Sequence, residues 1–151
     1  MTQTNNLTNV ADALNVVLAD SFTLYLKTKN FHWHVFGPHF RDYHLLLDEQ
    51  ATQILASTDL IAERVRKIGG ATLRSIGHIG RLSEIADNDK DKVDPQAMLN
   101  ELQADNQVLI AALKKAKELA DDAKDNASSG AIDQWTDEAE QRVWFLREAL
   151  D

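Results

Sequence analysis

Apolar residues recur along the chain at three- and four-residue steps, the spacing that places them on one face of an α-helix. Four long segments have this pattern and predict helices at about residues 7–36, 40–68, 95–124 and 131–151. A further piece at 73–83 contains Gly77 and Gly80, which limit it to a short helix at most. The expected core positions are Leu7, Val10, Leu14, Val17, Leu18, Phe22 and Tyr25 in the first helix, Leu99, Leu102, Leu109, Leu113, Ala116 and Ala120 in the third, and Ile132, Trp135, Ala139, Val143, Leu146 and Leu150 in the fourth.

Helix-breaking and helix-capping residues separate these segments. Gly37-Pro38 ends the first helix and Gly69-Gly70 ends the second, because glycine and proline interrupt helical geometry. Asp94-Pro95 starts the third helix with a capping residue followed by proline at the first helical position. We expect Asn6 or Thr8 to cap the first helix. Residues 126–130 are expected to form a turn before the fourth.

The predicted fold class is all-α, since no segment has the alternating pattern of a β-strand. The 151 residues fit a single domain, 1–151, that is long enough to bury a core. Four helices of this length favour a four-helix bundle. The charged residues 87–92 predict a loop. We expect the stretch between the second and third helices, with its short helix, to be the long crossover of that bundle.

Charge and composition narrow the function. The net charge of −8 argues against nucleic acid as a default partner and is compatible with attracting cations. The chain has no cysteine, which excludes thiolate metal sites and fits a reducing cytoplasm. Residues 1–9 lack a signal-peptide pattern, and the longest apolar run, 108–113, is too short to span a bilayer. We therefore expect a cytoplasmic protein.

Four metal-ligating side chains are arranged symmetrically along the second helix. His44 and Asp48 are four residues apart, as are Asp59 and Glu63, so each pair shares a helix face. The two pairs are roughly 16 Å apart at the helical rise of ~1.5 Å per residue, far beyond common reach of one metal. Their positions nevertheless mirror each other about the midpoint between Gln53 and Ile54.

Two antiparallel copies of this helix, packed about that midpoint, would bring Asp48 of one chain to Asp59 of the other, and His44 to Glu63. Each of the two resulting clusters would hold one imidazole and three carboxylates, and His32 would add a second imidazole. Such a mixed set suits iron or manganese better than calcium, and zinc remains an alternative. The simpler alternative is a solvated helix face on which Glu63 pairs with Lys67.

Several stretches resemble the Dps family, the mini-ferritins named as DNA-binding proteins from starved cells. The similarity covers nearly the whole chain. It is carried by Lys27-Thr28-Lys29-Asn30-Phe31-His32-Trp33-His34-Val35, Gly37, Phe40, His44, Asp48, Asp59, Ile61-Ala62-Glu63-Arg64, Ile68-Gly69-Gly70, Asp125-Asn126-Ala127, Gln141-Arg142-Val143-Trp144 and Leu146.

The resemblance implies a ferritin-like bundle that assembles into a hollow dodecamer. It implies a ferroxidase that oxidises Fe(II), commonly with hydrogen peroxide, stores ferric mineral and protects against oxidative damage. The implied catalytic ligands are His32, His44 and Asp48 from one chain with Asp59 and Glu63 from its two-fold partner, holding up to two irons. The resemblance also implies that Trp33 lies beside the site, where it would intercept stray oxidants.

Two features depart from the family pattern. Some members bind DNA through a basic N-terminal tail, whereas residues 1–10 here contain no Lys or Arg, so we do not expect tight DNA binding. Nucleoid compaction is the alternative function. The family's ion-entry pore implies Asp121, Asp122 and Asp125 as pore acids, but Gly130 stands where some members have an acid. Asp133 is a possible substitute, and a solvated helix end is the alternative for these acids.

Overall fold

The described part of the chain, residues 3–150 of a computed structural model, is entirely helical apart from turns and loops. The ends of the expected domain, residues 1, 2 and 151, lie outside the described residues, and side chains are described for residues 6–150. No strand occurs in this range, which confirms the all-α prediction. The helices are α1 (Gln3–His34), α2 (Phe40–Lys67), α3 (Ile76–Leu82), α4 (Pro95–Asp122) and α5 (Asn126–Leu150).

Two predicted helix starts were wrong. Helix α1 already begins at Gln3, so Asn6 and Thr8 lie within its first turns and cannot be its N-cap. Residues 126–130 are not a turn but the first helical residues of α5. Asp125 starts that helix by accepting the backbone N–H of Ser128 at 3.2 Å, which satisfies a donor that has no partner within the helix.

The predicted helix stops at glycine are confirmed. Gly37 and Gly69 have φ of +104° and +92°, a left-handed conformation that glycine adopts without steric cost. Gly70 also permits close packing, because an added Cβ would lie 2.8 Å from the Cβ of Ala11. Asp94 is the N-cap residue of α4 with Pro95 at its first position, as predicted, although the Asp94 side chain makes no capping hydrogen bond.

The crossover between α2 and α4 runs along α1. Its successive residues meet successive positions of that helix, so the connection returns along the bundle and lets α4 start at the same end as α2. The hydrogen bonds that show this path join Asn15 to Ala71, Asp20 to Glu84, Lys27 to Ala86 and Asn30 to Asn88. The long crossover with one short helix, α3, is therefore confirmed.

The bundle core follows the predicted apolar stripes. All the named positions of α4 are buried, as are the first five of α5. In α1 the central positions Val10, Leu14, Val17 and Leu18 are buried, while Leu7, Phe22 and Tyr25 are only partly covered. None of the described helices is long and apolar enough to cross a membrane.

Candidate metal centre

Two histidines brace the end of α1 against the start of α2. Nδ1 of His32 donates to the carbonyl oxygen of His44 at 2.7 Å, and Nδ1 of His44 donates to the carbonyl oxygen of His32 at 2.8 Å. The two rings stack with centroids 3.9 Å apart. His32 lies in the last turn of α1, where carbonyl oxygens lack a full set of helical partners, so its bond from His44 stabilises that helix end.

These hydrogen bonds decide which ring nitrogen can bind a metal. A carbonyl oxygen only accepts, so Nδ1 of each ring must carry the proton. In the neutral imidazole the lone pair is then on Nε2. The reciprocal bonds therefore leave Nε2 of both His32 and His44 as the ring atom able to bind a metal, the arrangement that a second hydrogen bond gives in most histidine–metal sites.

Asp48 lies beside these rings and is already paired with a cation. Its Oδ1 accepts a hydrogen bond from Nζ of Lys29 at 2.7 Å and lies 3.8 Å from Nε2 of His32. The hydrogen bond from Lys29 lowers the pKa of Asp48, and the positive charge of Lys29 acts in the same direction. Asp48 is therefore an ionised carboxylate, the form that binds a metal.

Asp59 and Glu63, the other two predicted ligands, are not brought to this cluster. Both lie further along α2 and are exposed to solvent. The alternative pairing of Glu63 with Lys67 is not formed, since no salt bridge among the described residues includes Glu63. Within residues 3–150 of one chain, no group of three His, Asp or Glu side chains is close enough to hold a metal.

Large exposed apolar side chains lie close in sequence to the predicted ligands. Leu45, Leu55 and Leu60 of α2 are each more than two-fifths exposed, and Trp33, next to His32, is 59% exposed. Leu55 is eleven residues after His44 and four before Asp59, so the three share one helix face. An exposed apolar surface around unpaired acids is typical of a face that another protein covers.

Two contributors to this centre were not assigned a role from the sequence. Lys29 contacts Asp48 from α1, and the ring of Phe40 stacks on His44 with centroids 5.0 Å apart. Both residues were noted only as part of the family resemblance. The available signal for Lys29 was its position three residues before His32, which places it on the same helix face.

The predicted pore acids lie where α4 meets α5, and most have partners within the chain. Asp121 accepts a hydrogen bond from Oγ of Ser129 at 2.6 Å. Asp125 caps α5, and Asp122 is exposed. Asp133, the suggested substitute for the acid missing at Gly130, pairs with Lys117 at 2.9 Å. Its charge is thus offset by a lysine of the same chain, which weakens its case as a pore acid.

Comparison with known proteins places this chain in a family. The family model for the ferritin-like domain matches residues 11–151. The DNA protection during starvation protein of Brevibacillus brevis is 33% identical over 143 residues, which cover 94% of this chain and 95% of that protein.

Solved structures agree in fold. The structure of Dps from Thermosynechococcus elongatus has a TM-score of 0.95 at 25% identity and covers 100% of this chain and 96% of that one. A Dps protein of Vibrio cholerae O1, described as a member of a broad superfamily of ferritin-like diiron-carboxylate proteins, has a TM-score of 0.92 at 25% identity, covering 98% and 92%. The chain is therefore a ferritin-like four-helix bundle and belongs to the Dps family of mini-ferritins.

Proposed function

We propose that this chain is a cytoplasmic ferroxidase and iron-storage protein that works as a homo-oligomeric cage, a dodecamer by family resemblance. Fe(II) is its substrate, hydrogen peroxide its oxidant and a ferric mineral its stored product, which protects the cell from oxidative damage. Family membership supports the iron storage and protection.

The observation that most supports the proposal is that one chain brings together three of the five predicted ligands but not the other two. His32 and His44 present two Nε2 atoms beside the ionised Asp48, while Asp59 and Glu63 stand unpaired further along the same helix. Antiparallel pairing of two α2 helices about the midpoint between Gln53 and Ile54 would complete two centres at once. The exposed apolar side chains around these residues support a second copy as the covering partner.

The side chains suit the oxidation of iron. Two imidazoles and three carboxylates form a ligand set that accepts Fe(II), and the negative carboxylates favour Fe(III) over Fe(II). Two Fe(II) ions give up one electron each, which breaks the O–O bond of hydrogen peroxide and, with two protons, yields two molecules of water. The protein binds and orients the ions. Trp33 intercepts oxidants that escape, a role that its exposure next to His32 in the sequence supports.

Tight DNA binding is not part of the proposal. Affinity for DNA rests mainly on Lys and Arg neutralising phosphates, whereas this chain carries 16 basic and 24 acidic residues.

Single substitutions of predicted ligands test the function. We expect His44→Ala and Asp59→Ala each to slow Fe(II) oxidation by at least about ten-fold, because each removes a ligand from every centre. Stopped-flow absorbance after peroxide is added to anaerobically loaded protein measures this, and circular dichroism checks that helicity is kept. Glu140→Ala removes an exposed acid from α5, which carries none of the predicted ligands, and should leave the rate unchanged. A native rate in either ligand variant would show that the ligand assignment is wrong.

A further inference from the structure

Lys29 places a positive charge directly on a predicted metal ligand. Its Nζ donates to Oδ1 of Asp48 at 2.7 Å. The Lys29 side chain is only 20% exposed, so its stem is held by neighbouring residues, whereas the Asp48 side chain is 48% exposed. Asp48 is the only acid that pairs with Lys29 among the described residues.

The same oxygen is the one that faces His32. Oδ1 of Asp48 and Nε2 of His32 lie 3.8 Å apart. Metal ions bind carboxylate oxygen and imidazole nitrogen at about 2.0–2.2 Å, so one ion fits between these two atoms without moving them far. The Lys29 ammonium donates into this region, has no lone pair to ligate a metal, and would repel a dication placed there.

We propose that Lys29 is a resident cation that an incoming metal ion must displace from Asp48, so that it sets how much free Fe(II) is needed to fill the centre. This inference rests on the proposed function, because it concerns the same centre. Metal binding then requires the hydrogen bond between Lys29 and Asp48 to break. The free energy of that ion pair is subtracted from the free energy of metal binding, so the affinity is lower.

Lys29 also gives the empty centre a counter-charge. If two chains pair as proposed, Asp48 of one chain meets Asp59 and Glu63 of the other, and three carboxylates converge without a metal. The ammonium of Lys29 offsets part of that repulsion. Its removal is therefore predicted to have two opposite effects: tighter metal binding, and a less stable metal-free assembly.

Isothermal titration with Zn²⁺, which is redox-inert and accepts the same ligand types, tests the first effect on the size-fractionated full-length assembly. We expect Lys29→Met to bind Zn²⁺ about five-fold more tightly than the native chain, the equivalent of a partly exposed ion pair. Lys29→Arg keeps the charge and should bind no more tightly than native. Lys29→Gln is the second neutral variant, for use if the methionine variant does not assemble.

Lys117→Met is the matched control. It removes the same charge and also breaks a pair with an aspartate, Asp133, but far along the chain from the centre. It should leave the affinity for Zn²⁺ unchanged, which separates a local effect from the general attraction of a more negative protein for cations. Thermal melting of the metal-free assemblies measures the second effect, and only Lys29→Met or Lys29→Gln should melt earlier while binding Zn²⁺ more tightly.

Asp48→Asn distinguishes the two ways in which these ideas can fail. If Asp48→Asn binds Zn²⁺ as the native chain does, the metal is not held at this centre and the proposed function is wrong. If Asp48→Asn loses binding while the neutral Lys29 variants keep native affinity, the centre stands and the role of Lys29 is refuted. Equal tightening by Lys29→Arg and Lys29→Met would refute it as well, since charge would not be the cause.

Discussion

At the scale of single residues, hydrogen bonds to the backbone determine which ring nitrogen of His32 and His44 keeps a free lone pair. Nδ1 of His32 and of His44 each donates a hydrogen bond to the other residue's carbonyl oxygen. This reciprocal pair fixes the orientation of both rings and leaves both Nε2 atoms free. The same bonds fasten α1 to α2. The fold thus orients both candidate ligands, which would reduce the reorganisation that binding a metal requires.

A second residue, Lys27, shows how a buried charge is tolerated in this bundle. Its Nζ lies 2.8 Å from Oδ2 of Asp105 and 3.7 Å from Glu101, and donates to the carbonyl oxygen of Ala86 at 2.7 Å. Burial raises the pKa of Asp105, although the hydrogen bond from Lys27 acts against that shift. Lys27 thereby ties α1 to α4 and to the crossover at once.

We predict that Lys27→Met destabilises the chain by about 3–5 kcal/mol, because it leaves Asp105 buried without a cation. Chemical denaturation followed by circular dichroism measures the loss. The control is Lys117→Met, which breaks an exposed pair and should cost about 1 kcal/mol or less. Equal costs for the two variants would mean that burial of Lys27 adds nothing to the strength of its ion pairs.

The sequence predicts some of these residue roles and not others. The shared face of His44, Asp48, Asp59 and Glu63 follows from helical periodicity alone, and the symmetry of their spacing indicates a centre shared by two chains. The bonds from Lys29 to Asp48 and between His32 and His44 depend on how α1 and α2 lie against each other. Spacing along one helix contains no information on that packing, so neither contact could be predicted.

At the scale of elements, a buried aspartate holds the crossover on α1. Asp20 accepts the backbone N–H of Glu84 at 2.6 Å and the hydroxyl of Ser83 at 3.2 Å. Its other carboxyl oxygen, Oδ2, is buried and has no hydrogen-bond partner among the described residues. Burial raises the pKa of Asp20 from 3.8 to about 6, because the charged form loses its solvation.

This raised pKa makes the contribution of Asp20 to the stability of the folded chain depend on pH. Between about pH 4 and pH 6 the folded chain binds the Asp20 proton more tightly than the unfolded chain, so this contribution to stability grows as the pH falls and is lost as the pH rises through about 6. Asparagine cannot ionise but keeps an oxygen that accepts from Glu84.

We predict that the melting temperature of the native chain, minus that of Asp20→Asn, is higher at pH 5 than at pH 8. Differential scanning calorimetry at the two pH values measures both. Asp12→Asn, at an exposed position of the same helix, is the control and should show a smaller change between the two pH values. A difference for Asp20→Asn that stays constant, or that grows towards pH 8, would contradict the role given to burial.

The ends of helices at glycine were predicted correctly, whereas the start of α5, which has no glycine or proline to mark it, was missed. Glycine at 37 and 69 marks a stop that only a left-handed residue makes easily. The start of α5 was missed because Asn126 to Gly130 are small or polar residues typical of turns. Asp125 caps the helix that these residues form, and Ser128 and Ser129 are buried in its first turn. Tertiary packing therefore favours the helix over the turn that the sequence alone suggests.

At the scale of the whole molecule, a single chain brings only part of the predicted ligand set together and leaves large apolar side chains exposed. The bundle has the fold of the Dps family, yet Asp59, Glu63 and the surrounding leucines have no partner that would explain their positions within the described residues. Pairing of two chains explains both features with one two-fold axis. The sequence predicts this axis through the midpoint between Gln53 and Ile54, but the fold of one chain cannot display it.

Mixed assembly tests the shared centre most directly. One variant lacks His44 and Asp48, and another lacks Asp59 and Glu63, so each alone should be inactive. When the two are refolded together at equal amounts, half of the two-fold interfaces join unlike chains. At each of these interfaces one centre inherits both defects and the other is intact.

The measurement is the rate of Fe(II) oxidation of the refolded mixture, with native mass spectrometry to show that unlike chains have co-assembled. A shared centre predicts recovery of about a quarter of the native rate, since half of the interfaces each hold one intact centre of two. Complete co-assembly without any recovered oxidation would contradict the account, because it would show that the ligands of one centre do not come from two chains.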